Sequence, residues 1–255
     1  MSGSVERFTS RVADYVKYRP GYPAAILNLL TTECGLTPDS IVADVGSGTG
    51  KLTEILLANG NVVIGVEPNE SMRVVAEEFF KDDPHFRSVD GTAEATTLDD
   101  ASVDLIAAGQ AFHWFDPLKT RTEWLRVLRP NRWAVLIWND RKLEATPFLS
   151  DYEQLLKDFG TDYAEVRHDK GMPAIEQFFA DDPFVLRGFP NTQVFDLDGL
   201  QGRVRSSSYT PEPGHPTFEP MMRGLEAVFD KHQKNGYVNF DYETKVFYGR
   251  LSKTE

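Results

Sequence analysis

Five short apolar runs, separated by segments with helical spacing, constrain this chain more than any other feature. They are "IVADV" (41–45), "VVIGVE" (62–67), "FRSVD" (86–90), "VDLIAAG" (103–109) and "WAVLIW" (133–138). They alternate poorly between apolar and polar, as strands covered on both faces do. Between them, "KLTEILLANG" and "NESMRVVAEEFFKD" read as helices, the second with Met72, Val75, Ala76 and Phe79 on one face. "DPLKTRTEWLRVLRP" carries Asp116 as N-cap, Pro117 at the first helical position and Pro130 past the end. This βαβα alternation predicts an α/β fold, a doubly wound and mostly parallel sheet with helices on both faces.

After Trp138 the rhythm changes. "TPFLSDYEQLLKDFG" reads as a helix, residues 160–190 as irregular, and "TQVFDLD" (192–198) and "TKVFYGRL" (244–251) as two further strands. Between those strands lie the helical "GLQGRVRSSS", a Pro-rich turn and the helical "MMRGLEAVFDKH". No linker divides the chain, so 1–255 reads as a single domain.

Charge narrows the partners. The net charge is −12 over 255 residues. Nucleic-acid phosphates need clustered Lys and Arg, and an anionic membrane surface repels such a chain, so the expected partner is a small molecule. The single cysteine, Cys34, rules out an intramolecular disulfide and reads as a small packed residue. The first twenty residues contain no apolar run of signal-peptide type, and no stretch approaches the roughly 20 apolar residues of a membrane span. A reducing, cytoplasmic setting is the expectation that fits these features. The histidines at 85, 113, 168, 215 and 232 show no paired ligand spacing, so no metal is expected.

"VADVGSGTG" places Gly46, Ser47, Gly48 and Gly50 directly after a strand and before a helix. Glycines there permit positive φ and close approach of a ligand to the backbone. In an open α/β sheet such a loop lies in the ligand crevice. Glu67 ends the second strand, at a spacing suited to a carboxylate that accepts both hydroxyls of a ribose. Dinucleotide sites use GxGxxG with a pyrophosphate on the helix N-terminus, whereas this pattern is GxGxG behind Asp44. An acid there repels phosphate and suits a ligand bearing an ammonium. S-adenosylmethionine has an adenosine, an amino-acid tail and no phosphate.

Together "VADVGSGTGKLTEIL", "VIGVEPNESM", "GTAEATTLDDASVDLIAAGQAFHWFD" and "LRVLRPNRWAVLIWN" resemble the class I S-adenosylmethionine-dependent methyltransferases over residues 41–139. "FTSRVADYVKYRPGYP" is similar to the small-molecule subgroup of the methyltransferase type 11 class, the trans-aconitate methyltransferase-like proteins. The resemblance implies a Rossmann-like seven-stranded sheet of order 3-2-1-4-5-7-6, with strand 7 antiparallel. It divides the chain into N-terminal lid helices (1–38), a cofactor-binding core (39–140) and C-terminal substrate-side elements (141–255). It implies that Asp44 and Gly46 hold the methionine portion and that Glu67 holds the ribose. Pro68 and Asn69 would flank the adenosine, with Thr92, Ala93 and Glu94 near the adenine and Gln110 near the sulfonium. Two positions depart from the family. Thr92 stands where many relatives have an acid facing the adenine amine, so either Thr92 or Asp90 serves or the contact is missing. Asn131–Arg132 replaces the usual Gly-Gly before strand five, which predicts a different turn there.

Methyl transfer from a sulfonium is an in-line displacement, helped mostly by alignment and exclusion of water. A base is needed only when the acceptor carries a proton at neutral pH, as a phenol does and a carboxylate does not. His113 in "QAFHWFD" is the candidate base, and Trp114 with Phe112 and Phe115 a candidate apolar wall. The same residues can equally pack the start of the next helix. Tyr15, Tyr18, Arg19 and Tyr22 can fold over the site as a lid or form an amphipathic surface helix. Arg203, Arg205, Ser206 and Tyr209 form a second candidate wall that suits an anionic acceptor, or a solvated helix face. The favoured activity is methyl transfer to a small carboxylate, phenol or similar metabolite. The alternatives are a non-catalytic S-adenosylmethionine-binding partner or sensor and, disfavoured by the loop, a nicotinamide-dependent oxidoreductase.

Overall fold

A computed structural model describes residues 16–161, 163 and 171–252, the side chains at 131 and 132 excepted. Seven strands form one sheet of order β3-β2-β1-β4-β5-β7-β6. They are β1 (Ile41–Val45), β2 (Val62–Val66), β3 (Phe86–Val89), β4 (Val103–Gly109), β5 (Leu128–Arg141), β6 (Phe184–Phe195) and β7 (Val238–Arg250). The pairs β1–β2, β1–β4, β2–β3 and β4–β5 are parallel. The direction of β7 follows from its contacts. Thr244 donates to Asn139 and the Lys142 amide to the Asp241 carbonyl, so rising numbers on one strand meet falling numbers on the other. The sheet is the one the family resemblance implies.

The described residues divide into two compact units. The larger takes residues 21–139, 169–189 and 244–252. Its strands bury both faces because their side chains alternate. Ala43, Val45, Ile106, Ala108, Leu136 and Trp138 point to one face, covered by α4 (Pro117–Val127) and α6 (Gly171–Phe179) through Trp124, Val127, Ile175 and Phe178. Val42, Leu105, Ala107, Val135 and Ile137 point to the other, covered by α1 (Ala25–Glu33) and α2 (Lys51–Ala58) through Ile26, Leu30, Leu52 and Leu56. α3 (Glu70–Phe79) adds Ala76 to that side.

The smaller unit takes the described parts of 1–20, 140–168 and 190–243. Helices α5 (Pro147–Phe159), α7 (Leu197–Arg205) and α8 (Phe218–His232) pack there around Tyr152, Leu156, Leu200, Leu225 and Phe240. No helix among the described residues is long and apolar enough to cross a membrane.

Several expectations change. Residues 160–190 are not irregular throughout. Gly171–Phe179 is a helix, whose Ile175, Phe178 and Phe179 are buried at helical spacing. Its opening Gly and Pro read as punctuation only because the packing that makes three apolar residues a face is not visible locally. The strand expected at 192–198 begins at Phe184 and ends at Phe195, and Asp196 then caps α7 by accepting from the Gly199 amide. β5 begins at Leu128, but Leu128 pairs with Val103 and Trp133 with Leu105, so residues 129–132 stand opposite the single residue 104 and the departure expected at 131–132 is a bulge within the strand. In α3, Met72 and Ala76 are buried as expected, but Phe79 is 61% exposed and Phe80 is buried instead. Phe80 lies just past the helix, off helical geometry, and its ring covers Gly50.

Candidate cofactor site

Register brings the chemistry to one edge of the sheet. Asp44 pairs across from Gly65 on β2 and from Ala107 on β4, so the carboxyl ends of these strands finish level. The glycine loop leaves β1, Glu67 leaves β2, and Gln110 leaves β4, all in the larger unit. This is the switch point where strand order reverses, the crevice in which such sheets bind ligands.

Asp44 is 1% exposed. One carboxylate oxygen accepts from the Thr53 hydroxyl at 2.7 Å, and the other has no hydrogen-bond partner in the protein. Burial pushes its pKa up to about 7; the Thr53 bond opposes that and the Glu67 charge adds to it. A buried acceptor with one oxygen unused is the group an ammonium would satisfy. Glu67 is also buried, which raises its pKa, although amide donors partly offset the effect. Those donors are the Asn69 amide to one oxygen and the Gly48 amide to the other, each at 2.9 Å. Each oxygen keeps a second lone pair, so the pair still has room for the two hydroxyls of a ribose.

The loop glycines serve the protein as well as a ligand. Gly46 has φ +68°, and a Cβ there would lie 2.5 Å from the Ala111 Cβ and 3.2 Å from the Phe115 ring. Both neighbours come from "QAFHWFD", so that stretch is packed directly on the loop. A Cβ on Gly48 would meet only the Met72 sulfur at 3.6 Å, an ordinary contact, which leaves its backbone approachable.

Gln110 adopts φ +58°, a left-handed conformation that costs a non-glycine residue roughly 1 kcal/mol or more. Its amide donates to the Ile137 carbonyl, and its side-chain oxygen accepts from the Asn139 amide at 3.1 Å. Asn139 is itself tied to the Thr244 hydroxyl and the Gly21 carbonyl. Gly109 lacks a side chain because the Tyr22 hydroxyl occupies the place, 2.3 Å from where a Cβ would stand. Tyr22 therefore lies against the end of β4, next to Gln110.

"QAFHWFD" divides by residue. Phe112 is 1% exposed and packs edge-on against Trp138 and Phe178, which anchors the short 3-10 turn Phe112–Trp114. His113 is half-buried with its ring 4.7 Å from that of Trp114, and Trp114 is exposed. Asp116 caps α4 from the Leu118 and Lys119 amides, and Glu94 accepts from the Asp116 amide at 2.9 Å. Glu94 thus holds the entry to α4. Thr92 and Ala95 exchange backbone bonds, which folds the 92–95 loop, with Thr92 exposed and Ala93 buried. Asp90 accepts from Arg73, which also donates to the Glu67 carbonyl at 2.8 Å. Pro68 is exposed, and the Asn69 side chain caps α3.

Other candidates lie in the smaller unit. The Tyr18 ring fills the place of a side chain on Gly202, and Arg19 donates to the Ser206 carbonyl at 2.8 Å. Tyr209 and Arg205 are half-buried, whereas Arg203 is 5% exposed. Tyr15 lies outside the described residues. Sequence reasoning did not name Thr53, Arg73 or Arg141 as site residues. Thr53 carries the one legible signal, a hydroxyl in the first turn after the glycine loop, level with the end of β1.

Comparison with known proteins decides the family. The Methyltransferase domain family matches residues 43–136. An uncharacterised methyltransferase-like protein of Schizosaccharomyces pombe is 34% identical over 95% of this chain and 94% of its own. The chain is a class I S-adenosylmethionine-dependent methyltransferase. A second S. pombe protein, an uncharacterised methyltransferase, is 37% identical, and the match spans 59% of each chain. A putative type II methyltransferase from Anaeromyxobacter dehalogenans shares the fold, with TM-score 0.67 and 21% identity over 92% of this chain and 100% of that one. The cofactor of this methyltransferase is S-adenosylmethionine, and the unused Asp44 oxygen and the Glu67 carboxylate fit its ammonium and ribose.

Proposed function

We propose that this methyltransferase acts on a small-molecule acceptor, a carboxylate, phenol or similar metabolite, by in-line displacement. The observation that carries the cofactor half of this reading is Asp44, a buried carboxylate with one oxygen unused beside an approachable Gly48 backbone. Asp44 holds the amino-acid end through its ammonium, with the Gly46–Gly48 backbone around it, and Glu67 holds the ribose. Pro68 and Asn69 flank the adenosine, Ala93 and Glu94 border the adenine, and Gln110 lies at the donor end. The bound cofactor supplies a methyl group already activated on a sulfonium. The chain's own contribution is then to align the two reactants and keep water out.

Support for the acceptor half is less direct. Tyr22 and the pair His113–Trp114 lie close after the same strand end as Gln110, in keeping with a wall beside the donor. His113 would take a proton only from an acceptor that has one to lose. Arg19, Arg205, Tyr209 and Tyr15 are proposed on the acceptor side.

The test is a screen of small carboxylic acids and phenols with radiolabelled methyl donor, repeated with His113→Ala. Labelling of small acids or phenols is expected. Label appearing only in added protein or nucleic acid would sink the proposal. Full activity of His113→Ala on every acceptor would remove His113 as base, and a loss confined to phenols would establish it.

A further inference from the structure

With the amino-acid end of the cofactor at Asp44 on β1 and its ribose at Glu67 on β2, as proposed above, the base extends toward β3, the next strand in the sheet. Neighbouring strands lie about 4.8 Å apart, so a base carried by the ribose reaches the loop that leaves β3. Contacts within the protein bring that loop to Glu67. The Glu67 amide donates to the Val89 carbonyl at 3.2 Å. A Cβ on Gly91 would stand 3.0 Å from the Val66 side chain and 2.7 Å from the Thr96 carbonyl, so a glycine there lets the loop fold back over the end of β2. Thr92 and Ala95 then exchange backbone bonds, at 3.1 and 3.2 Å, which closes the turn.

Three side chains of residues 90–95 are polar: Asp90, Thr92 and Glu94. Each acid is held by a partner at a different helix. Asp90 accepts from Arg73 on α3 at 3.2 Å, and the same guanidinium nitrogen donates to the Glu67 carbonyl at 2.8 Å. Glu94 accepts from the Asp116 amide at 2.9 Å, at the start of α4. Thr92 lies between them in the chain, exposed, and its hydroxyl makes no hydrogen bond to any described residue.

We propose that the amine of the adenine is met by the neutral Thr92 hydroxyl and by no carboxylate, so that this methyltransferase recognises its donor through the ribose and tolerates changes at the amine. The proposal rests on the ribose position at Glu67 given above. Exposure separates the two contacts. A polar group built into a buried site rejects an analogue that leaves it unmatched, by orders of magnitude in the strongest cases. Glu67, at 7% exposed, is such a group. An exposed hydroxyl that loses its partner turns to water, and it donates as readily as it accepts, so the loss costs little. A carboxylate at position 92 would only accept, and it would hold the amine about twice as strongly as a neutral oxygen does.

Calorimetry on the full chain compares S-adenosylhomocysteine with two analogues, one with hydrogen in place of the adenine amine and one lacking the ribose 2′-hydroxyl. The deaminated analogue is expected to bind within about fivefold of the parent, and the 2′-deoxy analogue at least about tenfold more weakly. Thr92→Asp should raise the penalty for the missing amine by at least about threefold. A wild-type penalty larger than that fivefold, or a smaller rise in Thr92→Asp, would overturn the proposal. A 2′-deoxy analogue that falls short of its expected loss would show instead that the ribose does not lie on Glu67, and the proposal would fall with that placement.

Discussion

Two buried groups, one in each unit, carry opposite charge. In the larger, Asp44 and Glu67 bring two carboxylates to adjacent strand ends, with Arg73 the only cation acting on Glu67 among its leading influences. In the smaller, Arg141 and Arg203 lie among phenols with, among the described residues, a single paired carboxylate, Glu153. Burial penalises both arrangements, but the two respond differently. A carboxyl can escape by taking up a proton, as the raised Asp44 pKa shows. A guanidinium cannot, so its surroundings adjust instead, and the Tyr209 phenol shifts downward. The first keeps a carboxylate oxygen open to a cation, whose arrival would release a proton; the second keeps its charge and is offset by phenols and Glu153.

The largest expected effect is on the acidic side. Asp44→Asn removes the charge proposed to face the ligand ammonium and should weaken S-adenosylhomocysteine roughly 30-fold or more, as loss of one partner of a buried ion pair does. Calorimetry of wild type and variant measures it, and affinity within threefold would separate Asp44 from ligand binding.

Next is Gly46→Ala. The new Cβ meets Ala111 in a left-handed backbone, and strain plus overpacking should cost about 2–3 kcal/mol in denaturant unfolding. A loss under 1 kcal/mol would mean that the loop is less tightly packed against "QAFHWFD" than described.

The pH response comes third, and it separates the units most directly. Folded Asp44 keeps its proton up to about pH 7, the unfolded chain only to its ordinary value of 3.8. Between those limits the folded state binds more protons, so the contribution of Asp44 to stability falls as pH rises through that window. Binding of an ammonium runs the other way, because it needs the ionised form. S-adenosylhomocysteine affinity should climb by up to about tenfold per unit below pH 7 and level off above it. Titration of Asp44→Asn should show a flat profile, and an equal slope in the variant would assign the effect to another group.

A smaller change is expected from Arg19→Gln. Loss of one of the three cations acting on Tyr209 should let its phenol move back up, read as a difference in ultraviolet tyrosine titration between the two proteins. No difference would leave Arg203, Arg141 and the Ser207 hydrogen bond as the cause. Smallest of all, Tyr152→Phe should change unfolding stability by no more than about 0.5 kcal/mol, since the hydroxyl it removes has no partner to lose. A loss above 1 kcal/mol would show that the hydroxyl is bonded in solution.

Legibility tracked distance along the chain. The strands from β1 to β4, the Asp116 cap and the placement of Asp44, the glycine loop and Glu67 were readable because each depends on residues a few positions apart. Phe79 and Phe80 show where this ends. Helical spacing favours Phe79, but only the packing of α3 against the loop determines which ring turns inward. Arg203 and Arg205 make the same point: both were visible as basic residues near Tyr209, yet it is Arg203 that meets Tyr242 from a strand 39 residues away. Arg141 could not be chosen at all, since its partners Glu153 and Tyr163 come from separate later segments.

By itself, then, the sequence determined the parallel α/β core, the family and the cofactor class, because a strand, a glycine loop and a following acid form a local pattern with one economical geometry. Tertiary structure alone decided that "QAFHWFD" packs against Gly46, that one oxygen of Asp44 stays unused, and that arginines from three separate segments act on Tyr209. These depend on which surfaces meet once helices and strands are assembled. Burial then acts on those meetings, setting which charges are neutralised, which are paired and which are left to bind a ligand.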